Sequence, residues 1–207
     1  MSRDIVILAN SRKLRRRCVA GKDINTGEWI RLVADQYGNG LAVNVARNIN
    51  CLSIYRVEGL RHFNDYQNPF HTENNIYTSM SHVGDIENEA ELMELLDDPG
   101  YIFETLDKKI PEEEVEELGY SLQFVEVQDL YMGYDTWGKL RANFSYNGNR
   151  YAGIPITVPE VETRFENRGA HHVERYDYAY VTLSLGVIFE GYSYMLFSGL
   201  IIPNDEG

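Results

Sequence analysis

Short apolar runs of strand length, separated by turn residues, dominate this chain of 207 residues. The clearest runs lie at residues 5–9, 51–57, 140–146, 180–185 and 192–202. They are rich in branched and aromatic side chains, which are typical of strands. In the second half of the chain the connections are short, and no long helix alternates with the strands. A parallel α/β sheet is therefore disfavoured, and a mainly β fold is predicted.

Two turn sequences predict hairpins. Asn147-Gly148 separates two apolar runs in the second half, and Asn-Gly in that position is the strongest short-range hairpin signal. In the first half, residues 23–27 (DINTG) separate the run at 17–21 from the run at 28–33. The same succession of strand, hairpin and strand thus occurs twice. At about this length per unit it predicts two small five-stranded barrels in tandem.

The middle of the chain has a different pattern. Residues 87–98 (ENEAELMELLDD) carry leucines at helical spacing before a Pro-Gly pair, which predicts a short acidic amphipathic helix. The acidic residues 107–119 predict a loop or a second short helix. We therefore expect a first barrel at residues 1–86, an acidic helical or loop connector at 87–119, and a second barrel at 120–207.

Composition narrows the functions that the chain can have. It carries 32 acidic and 19 basic residues, a formal net charge of −13, whereas a protein that coats nucleic acid is expected to be basic. The start of the chain does not resemble a signal peptide, and no apolar run reaches the ~20 residues needed to cross a bilayer. Cys18 and Cys51 are interpreted as reduced, buried thiols. These features predict a cytoplasmic protein with no membrane partner.

The densest polar stretch of the sequence follows the first apolar run. Five basic residues fall between positions 12 and 17, in an otherwise acidic protein. Asn10, Ser11, Arg12, Lys13 and Arg17 are the candidates for a phosphate or anion site, which we place in a polar turn at residues 10–16. The planar guanidinium fork suits phosphate and carboxylate groups. The alternative is a solvated turn whose arginines pair with surface carboxylates.

A second candidate lies on the next predicted strand. Trp29 and Arg31 are two residues apart, so both side chains should point to one face of the sheet. An aromatic plane beside a guanidinium group can seat a nucleobase or a sugar. The alternative is that Trp29 is part of the core.

Two segments that contain histidines are candidates for chemistry. His71, Glu73 and Asn74 fall in a predicted loop, where they could bind a ligand or, as a His–Glu pair, act as acid and base. The sequence shows no nucleophile or metal partner for them. His171 and His172 are adjacent and would face opposite ways on a strand, so no metal site is expected. No motif for a cofactor is present, and none is predicted.

These residues belong to longer strings that are similar to a known family. ILANSRK…RRCVAGKD…GEWIRLV, FHTEN, RANFSYNGNRYAGIPITVPE and LSLGVIFEGYSYMLFSGLII resemble the dual OB-containing domain family over nearly the whole chain. The resemblance implies two OB-like barrels, a fold that commonly binds single-stranded nucleic acids or oligosaccharides, and an association with prokaryotic or phage conflict and signalling systems. The residues at 87–119 have no counterpart in it. It does not imply an established activity.

Three functions are compatible with the sequence. The first is a non-catalytic protein that binds a nucleotide or a short single-stranded nucleic acid, because the net charge disfavours long polymers. The second is an adaptor with a protein partner, since an acidic surface suits basic proteins. The third is an enzyme with a centre at His71 and Glu73.

Overall fold

The computed structural model describes residues 2–203, which form fourteen strands and four α-helices. Eight strands belong to the first sheet: β1 Ser2–Lys13, β2 Arg16–Asp23, β3 Trp29–Val33, β4 Leu41–Ala42, β5 Ser53–Glu58, β6 Arg61–His62, β7 Asn74–Ile76 and β8 Ser79–Asp85. The short helix α1 (Val43–Ala46) follows β4.

Pairing along the first sheet produces a barrel. β1 lies between β2 and β5, and β3 continues the sheet beyond β2. The segment that contains β7 and β8 pairs with β3 at its start, in parallel, and with β5 at its end, antiparallel. β1 thus contacts β2 and β5, while the segment of β7 and β8 closes the ring between β3 and β5.

The second sheet repeats this connectivity. Its strands are β9 Lys109–Pro111, β10 Leu122–Tyr134, β11 Leu140–Tyr146, β12 Asn149–Pro155, β13 Val173–Leu185 and β14 Tyr192–Ile201. β10 lies between β11 and β13, and a parallel bridge from Ile156 to Phe197 links the end of β12 to β14. The fold is therefore mainly β, with two OB-like barrels in tandem, as the sequence predicted.

The predicted hairpins and part of the predicted helix are present. Asn147 and Gly148 both have positive φ, as a two-residue hairpin turn requires, between β11 and β12. In the middle of the chain, helix α2 covers only Glu89–Met93, where the sequence predicted residues 87–98. Asn88 caps it by accepting a hydrogen bond from the Glu91 amide. Helix α3 (Glu112–Leu118) is the second short helix.

The polar turn that we placed at residues 10–16 is wrong. β1 continues through Asn10, Ser11 and Arg12 to Lys13, each paired with β2, and only Leu14 and Arg15 form the turn. Asn10 is accommodated in the strand because its amide nitrogen donates to two backbone carbonyls of the first barrel. Leu14 adopts a φ of 56°, a conformation that Gly or Asn usually occupies. Because neither residue stands at this turn, the sequence does not mark it.

Helix α4 (Pro159–Arg168), which was not predicted from the sequence, lies between β12 and β13. Pro159 occupies the first turn, and Val161 and Phe165, four residues apart, are buried against the second barrel. The helix packs near the start of β13 through Arg164, whose guanidinium donates to both oxygens of Glu174 at 2.7 and 2.6 Å. Burial would raise the pKa of Glu174, but these hydrogen bonds outweigh it and hold the pKa at about 2.

The two barrels share a core. Along β1, Ile5 and Ile7 face the interior of the first barrel, while the alternating Val6 and Leu8 pack against Tyr180 and its neighbours in the second. β1 and β14 approach most closely at Gly199, where a Cβ atom would lie 2.1 Å from the Leu8 carbonyl oxygen. The barrels therefore pack directly on each other at this crossing.

The predicted connector fastens both barrels. Asp97 accepts hydrogen bonds from Lys22 Nζ at 2.6 Å, Trp29 Nε1 at 3.0 Å and the Phe124 amide at 2.8 Å. The connector also supplies β9 to the second sheet. The division at residues 87 and 119 stays a prediction. No helix within residues 2–203 is long and apolar enough to cross a membrane.

Candidate functional site

A cleft of about 360 Å³ lies between the barrels, and we call it the junction cleft. The first barrel contributes the end of β1, Cys18 on β2, Arg31 on β3 and the loop residue His71. The second contributes the end of β13, the loop that follows it, and Tyr194 and Leu196 of β14. Of the predicted site residues, the structure brings five to this cleft: Ser11, Arg12, Lys13, Arg31 and His71.

Arg31 forms part of the floor of the junction cleft. Its side chain is only 4% exposed and is held by the second barrel, because Nη2 donates to Ser121 Oγ at 2.8 Å. The same nitrogen lies 3.2 Å from Glu73 Oε1. Within the described residues, Arg31 Nε has no hydrogen-bond partner. A fixed guanidinium group with an unused donor is thus placed at the bottom of the cleft.

His71 is the second buried group of the floor. Its Nε2 lies 3.2 Å from the Leu185 carbonyl oxygen, so Nε2 carries the proton and donates to it. Burial and the charge of Arg31 lower the pKa of His71, against the opposing effect of Asp65, whose carboxylate lies 3.6 Å from Nδ1. The lowered pKa favours the neutral imidazole at pH 7.

Buried polar atoms without a hydrogen-bond partner are concentrated in the predicted site. Six such side-chain atoms occur within residues 2–203, and they belong to Asn10, Arg17, Arg31, His71, Glu73 and Asn74. Most buried polar groups in proteins are paired, so each unpaired one calls for an explanation. A bound ligand at the junction would supply partners for those that line a cleft.

The basic residues of the β1–β2 hairpin differ in how far they are neutralised. Arg12 is bound by Glu162 of α4 through two nitrogens, and Arg17 has Glu160 of the same helix at 3.9 Å. Lys13 donates only to the Gly38 carbonyl oxygen, at 3.3 Å. The alternative of arginines paired with carboxylates thus holds for Arg12 and in part for Arg17, whereas the charge of Lys13 is available to a ligand.

Exposed apolar side chains stand at the edge of the junction cleft. Leu14, at the tip of the β1–β2 hairpin, is 90% exposed, and Phe189, in the loop between β13 and β14, is 61% exposed. Val187 in the same loop is also exposed. Each barrel therefore offers apolar surface beside a polar floor.

The other predicted residues lie elsewhere at the junction. Trp29 and Arg31 do face the same side of the sheet, but that side is covered by the second barrel, and Trp29 and Glu73 line a different cleft. Asn10, Arg17 and Asn74 line neither cleft. Sequence reasoning missed the contribution of residues 184–196. The signal that could have found it is Phe189 in a short segment flanked by Gly186 and Gly191.

The acid–base pair imagined at His71 and Glu73 has other partners. His71 donates to Leu185, and Glu73 accepts from Ser121 and pairs with Arg31. Both side chains thus join the first barrel to the second. These contacts favour a role in holding the junction and its clefts over a role in proton transfer.

Two OB-like barrels that share a polar-floored cleft define the class: a tandem OB-fold protein with a binding role. The family model of the dual OB-containing domain matches residues 3–200. The chain belongs to this family. It matches no curated protein and no solved structure.

Proposed function

We propose that this protein binds a nucleotide or a short single-stranded nucleic acid in the junction cleft, without catalysing a reaction. One observation carries the proposal: the buried Arg31, with an unused donor, forms the floor of a cleft that also has a basic rim and apolar edges. Such a binding role would suit a component of a prokaryotic or phage conflict or signalling system, with which the family is associated.

The phosphate would be held by the basic part of the cleft. Lys13 supplies a charge at the rim, and Arg31 supplies a guanidinium group in the lining whose Nε has no hydrogen-bond partner among the described residues. Hydrogen bonds to charged groups contribute about 1.5–3 kcal/mol each, more than neutral ones. Ser11 and Ser184, on opposite sides of the cleft, add hydroxyl groups.

The base would be held by the apolar part. Phe189 has an exposed ring beside the cleft, and stacking of a base on an aromatic side chain contributes about 1–3 kcal/mol. Leu14 lies on the opposite barrel and can cover the face of the base that Phe189 does not contact. A phosphate and a flat ring together match the two kinds of surface that the cleft presents.

The net charge of the protein limits the size of the ligand. At −13 it repels a long polyanion, whereas one or a few phosphates need only the local basic rim. We therefore expect mononucleotides and short oligonucleotides to bind, with an affinity that decreases as salt increases.

Calorimetric titration with ATP, AMP and a tetranucleotide across a salt series tests the proposal. Lys13→Ala and Phe189→Ala should each weaken binding about tenfold, by removing a charge and a stacking surface respectively. Arg15→Ala is the matched control, because Arg15 lies on the same hairpin tip but does not line the junction cleft. Absence of binding by all three ligands at low salt, or equal losses in all three variants, would refute the proposal.

An adaptor role is the second candidate function. The exposed Leu14 and Phe189 would then contact a protein instead of a base. Purification from native cells distinguishes the two: a stoichiometric protein partner whose release follows Phe189→Ala, with no nucleotide bound, favours the adaptor.

A further inference from the structure

A second cleft, of about 490 Å³, lies at the barrel junction beside the first, and we call it the tryptophan cleft. Trp29, Glu73 and Asn75 of the first barrel line it together with Tyr120, which precedes β10. Glu73 lines this cleft and Arg31 lines the junction cleft, and the two side chains form an ion pair. The pair thus lies between the two clefts.

Glu73 lines the tryptophan cleft and carries an unpaired, buried acceptor. Its side chain is 4% exposed, and Oε1 accepts from Ser121 Oγ and pairs with Arg31. Its other oxygen, Oε2, is buried without a hydrogen-bond partner in the described part of the chain. Arg31 already balances the negative charge of Glu73. A neutral hydrogen-bond donor would therefore satisfy Oε2, and no second cation is needed.

The neighbouring polar groups are also left as acceptors. Asn75 donates one of its two amide hydrogens to the Glu73 carbonyl oxygen at 2.9 Å, and its amide oxygen can accept from a ligand. Thr72 donates its hydroxyl hydrogen to the Gly119 carbonyl oxygen at 2.8 Å. Arg3 and Glu28, which also line the cleft, are paired with each other. On the side of Glu73 and Asn75 the cleft therefore matches a ligand whose edge donates, while Arg3 and His62 line it as well.

Aromatic side chains form part of the wall. The indole of Trp29 is held in place because its Nε1 donates to Asp97 at 3.0 Å, and Tyr120 is stacked on Phe103 with ring centroids 6.1 Å apart. Fixed aromatic rings beside acceptors suit a flat ring with N–H groups better than a sugar, whose hydroxyls both donate and accept.

We propose that the tryptophan cleft binds a nucleobase by its N–H edge, with Glu73 Oε2 and the Asn75 amide oxygen accepting from the amino or imino groups. The amino group of cytosine and the N1–H and amino groups of guanine are donors of this kind. This inference rests on the proposed function, because it assigns to this cleft a further base of the short single-stranded ligand, distinct from the base that Phe189 stacks in the junction cleft.

Fluorescence of Trp29 tests the inference directly. The chain has two tryptophans, and Trp137 is 81% exposed on the turn between β10 and β11, so Trp137→Phe leaves Trp29 as the single reporter. Cytidine and guanosine should change its emission in a saturable way, and N4,N4-dimethylcytidine, which lacks the donors, should bind at least tenfold more weakly. Equal binding of cytidine and its dimethyl derivative, or no response to either nucleoside, would overturn the inference.

A pair of carboxylate variants localises the contact. In the Trp137→Phe background, Glu73→Gln should reduce cytidine affinity at least tenfold, whereas Glu28→Gln should not, since Glu28 is occupied by Arg3. If Glu73→Gln does not fold, the comparison of cytidine with its dimethyl derivative still decides, because it uses the unaltered cleft.

The failure of this inference is distinguishable from the failure of the proposed function. Nucleosides carry no phosphate, and a Trp29 response that Glu73→Gln abolishes and Phe189→Ala leaves unchanged reports on the tryptophan cleft, while binding of ATP and its loss in Lys13→Ala probe the junction cleft. ATP binding without a nucleoside response would overturn only the assignment of the tryptophan cleft. A nucleoside response without ATP binding would overturn the junction cleft as the phosphate site.

Discussion

At the scale of single residues, His71 connects the electrostatics of the junction to the stability of the fold. It is buried between the barrels, next to Arg31, and is neutral because burial and that charge lower its pKa. In the unfolded chain the pKa returns to about 6.5. Below pH 6.5 the unfolded state therefore binds a proton at His71 that the folded state does not bind.

This difference predicts that stability decreases as pH falls from 7 towards 5. One proton contributes at most ~1.4 kcal/mol per pH unit, and the effect ends once the folded state also binds the proton. Carboxylates with lowered pKa, such as Asp65, act in a lower window, near pH 4. Urea unfolding between pH 5 and 7 measures how steeply the free energy of unfolding depends on pH. His71→Gln should make this dependence less steep, whereas the exposed control His82→Gln should leave it unchanged. A slope unchanged by His71→Gln contradicts this account.

Gly199 supports a second prediction at this scale. A side chain there would meet the Leu8 carbonyl oxygen and Thr182, which itself donates to Leu8 at 2.6 Å, so the barrels would have to separate. Gly199→Ala should destabilise the protein by about 1–3 kcal/mol or more. Gly84→Ala is the control, since a Cβ atom there has open space. Equal midpoints of urea unfolding for the two variants would show that β1 and β14 are not closely packed at Gly199.

At the scale of elements, the acidic connector acts as a fastening through Asp97. This carboxylate joins β2 and β3 of the first barrel to β10 of the second, and it balances the charge of Lys22, which is only 5% exposed. Removal of Asp97 would leave that ammonium group buried without a counter-ion.

Asp97→Ala is therefore expected to lower the free energy of unfolding by about 3 kcal/mol. The adjacent Asp98→Ala provides the control, because Asp98 is exposed and should change stability by less than about 0.5 kcal/mol. Chemical denaturation of both variants gives the comparison. Similar stability for the two would show that the connector does not fasten the barrels.

The elements also show which parts of the fold could be predicted. The Asn147-Gly148 hairpin was predictable because local backbone preference decides it. The extension of β1 to Lys13 was not, because partners distant in sequence satisfy Asn10. Helix α4 could have been found from Pro159 and the spacing of Val161 and Phe165, although its polar composition concealed it.

At the scale of the whole molecule, the candidate site belongs to the junction of the barrels. The sequence indicated a cluster of basic residues, and Lys13 and Arg31 do line one cleft. It could not indicate that Arg31 is covered by the second barrel, or that Phe189 faces the β1–β2 hairpin, because those placements depend on how two distant halves pack. Local sequence patterns predict strands, helices and turns, whereas a cleft shared by two barrels arises only from tertiary structure.

Cys18 offers the most direct measurement of the central claim, because its half-buried thiol lines the junction cleft. Burial raises the pKa of Cys51 to about 12, so iodoacetamide at pH 8 should modify Cys18 selectively. We predict that ATP slows alkylation of Cys18 in a saturable way, with a midpoint equal to the calorimetric Kd, and that Lys13→Ala shifts this midpoint about tenfold. An alkylation rate that saturating ATP leaves unchanged would contradict nucleotide binding in the junction cleft.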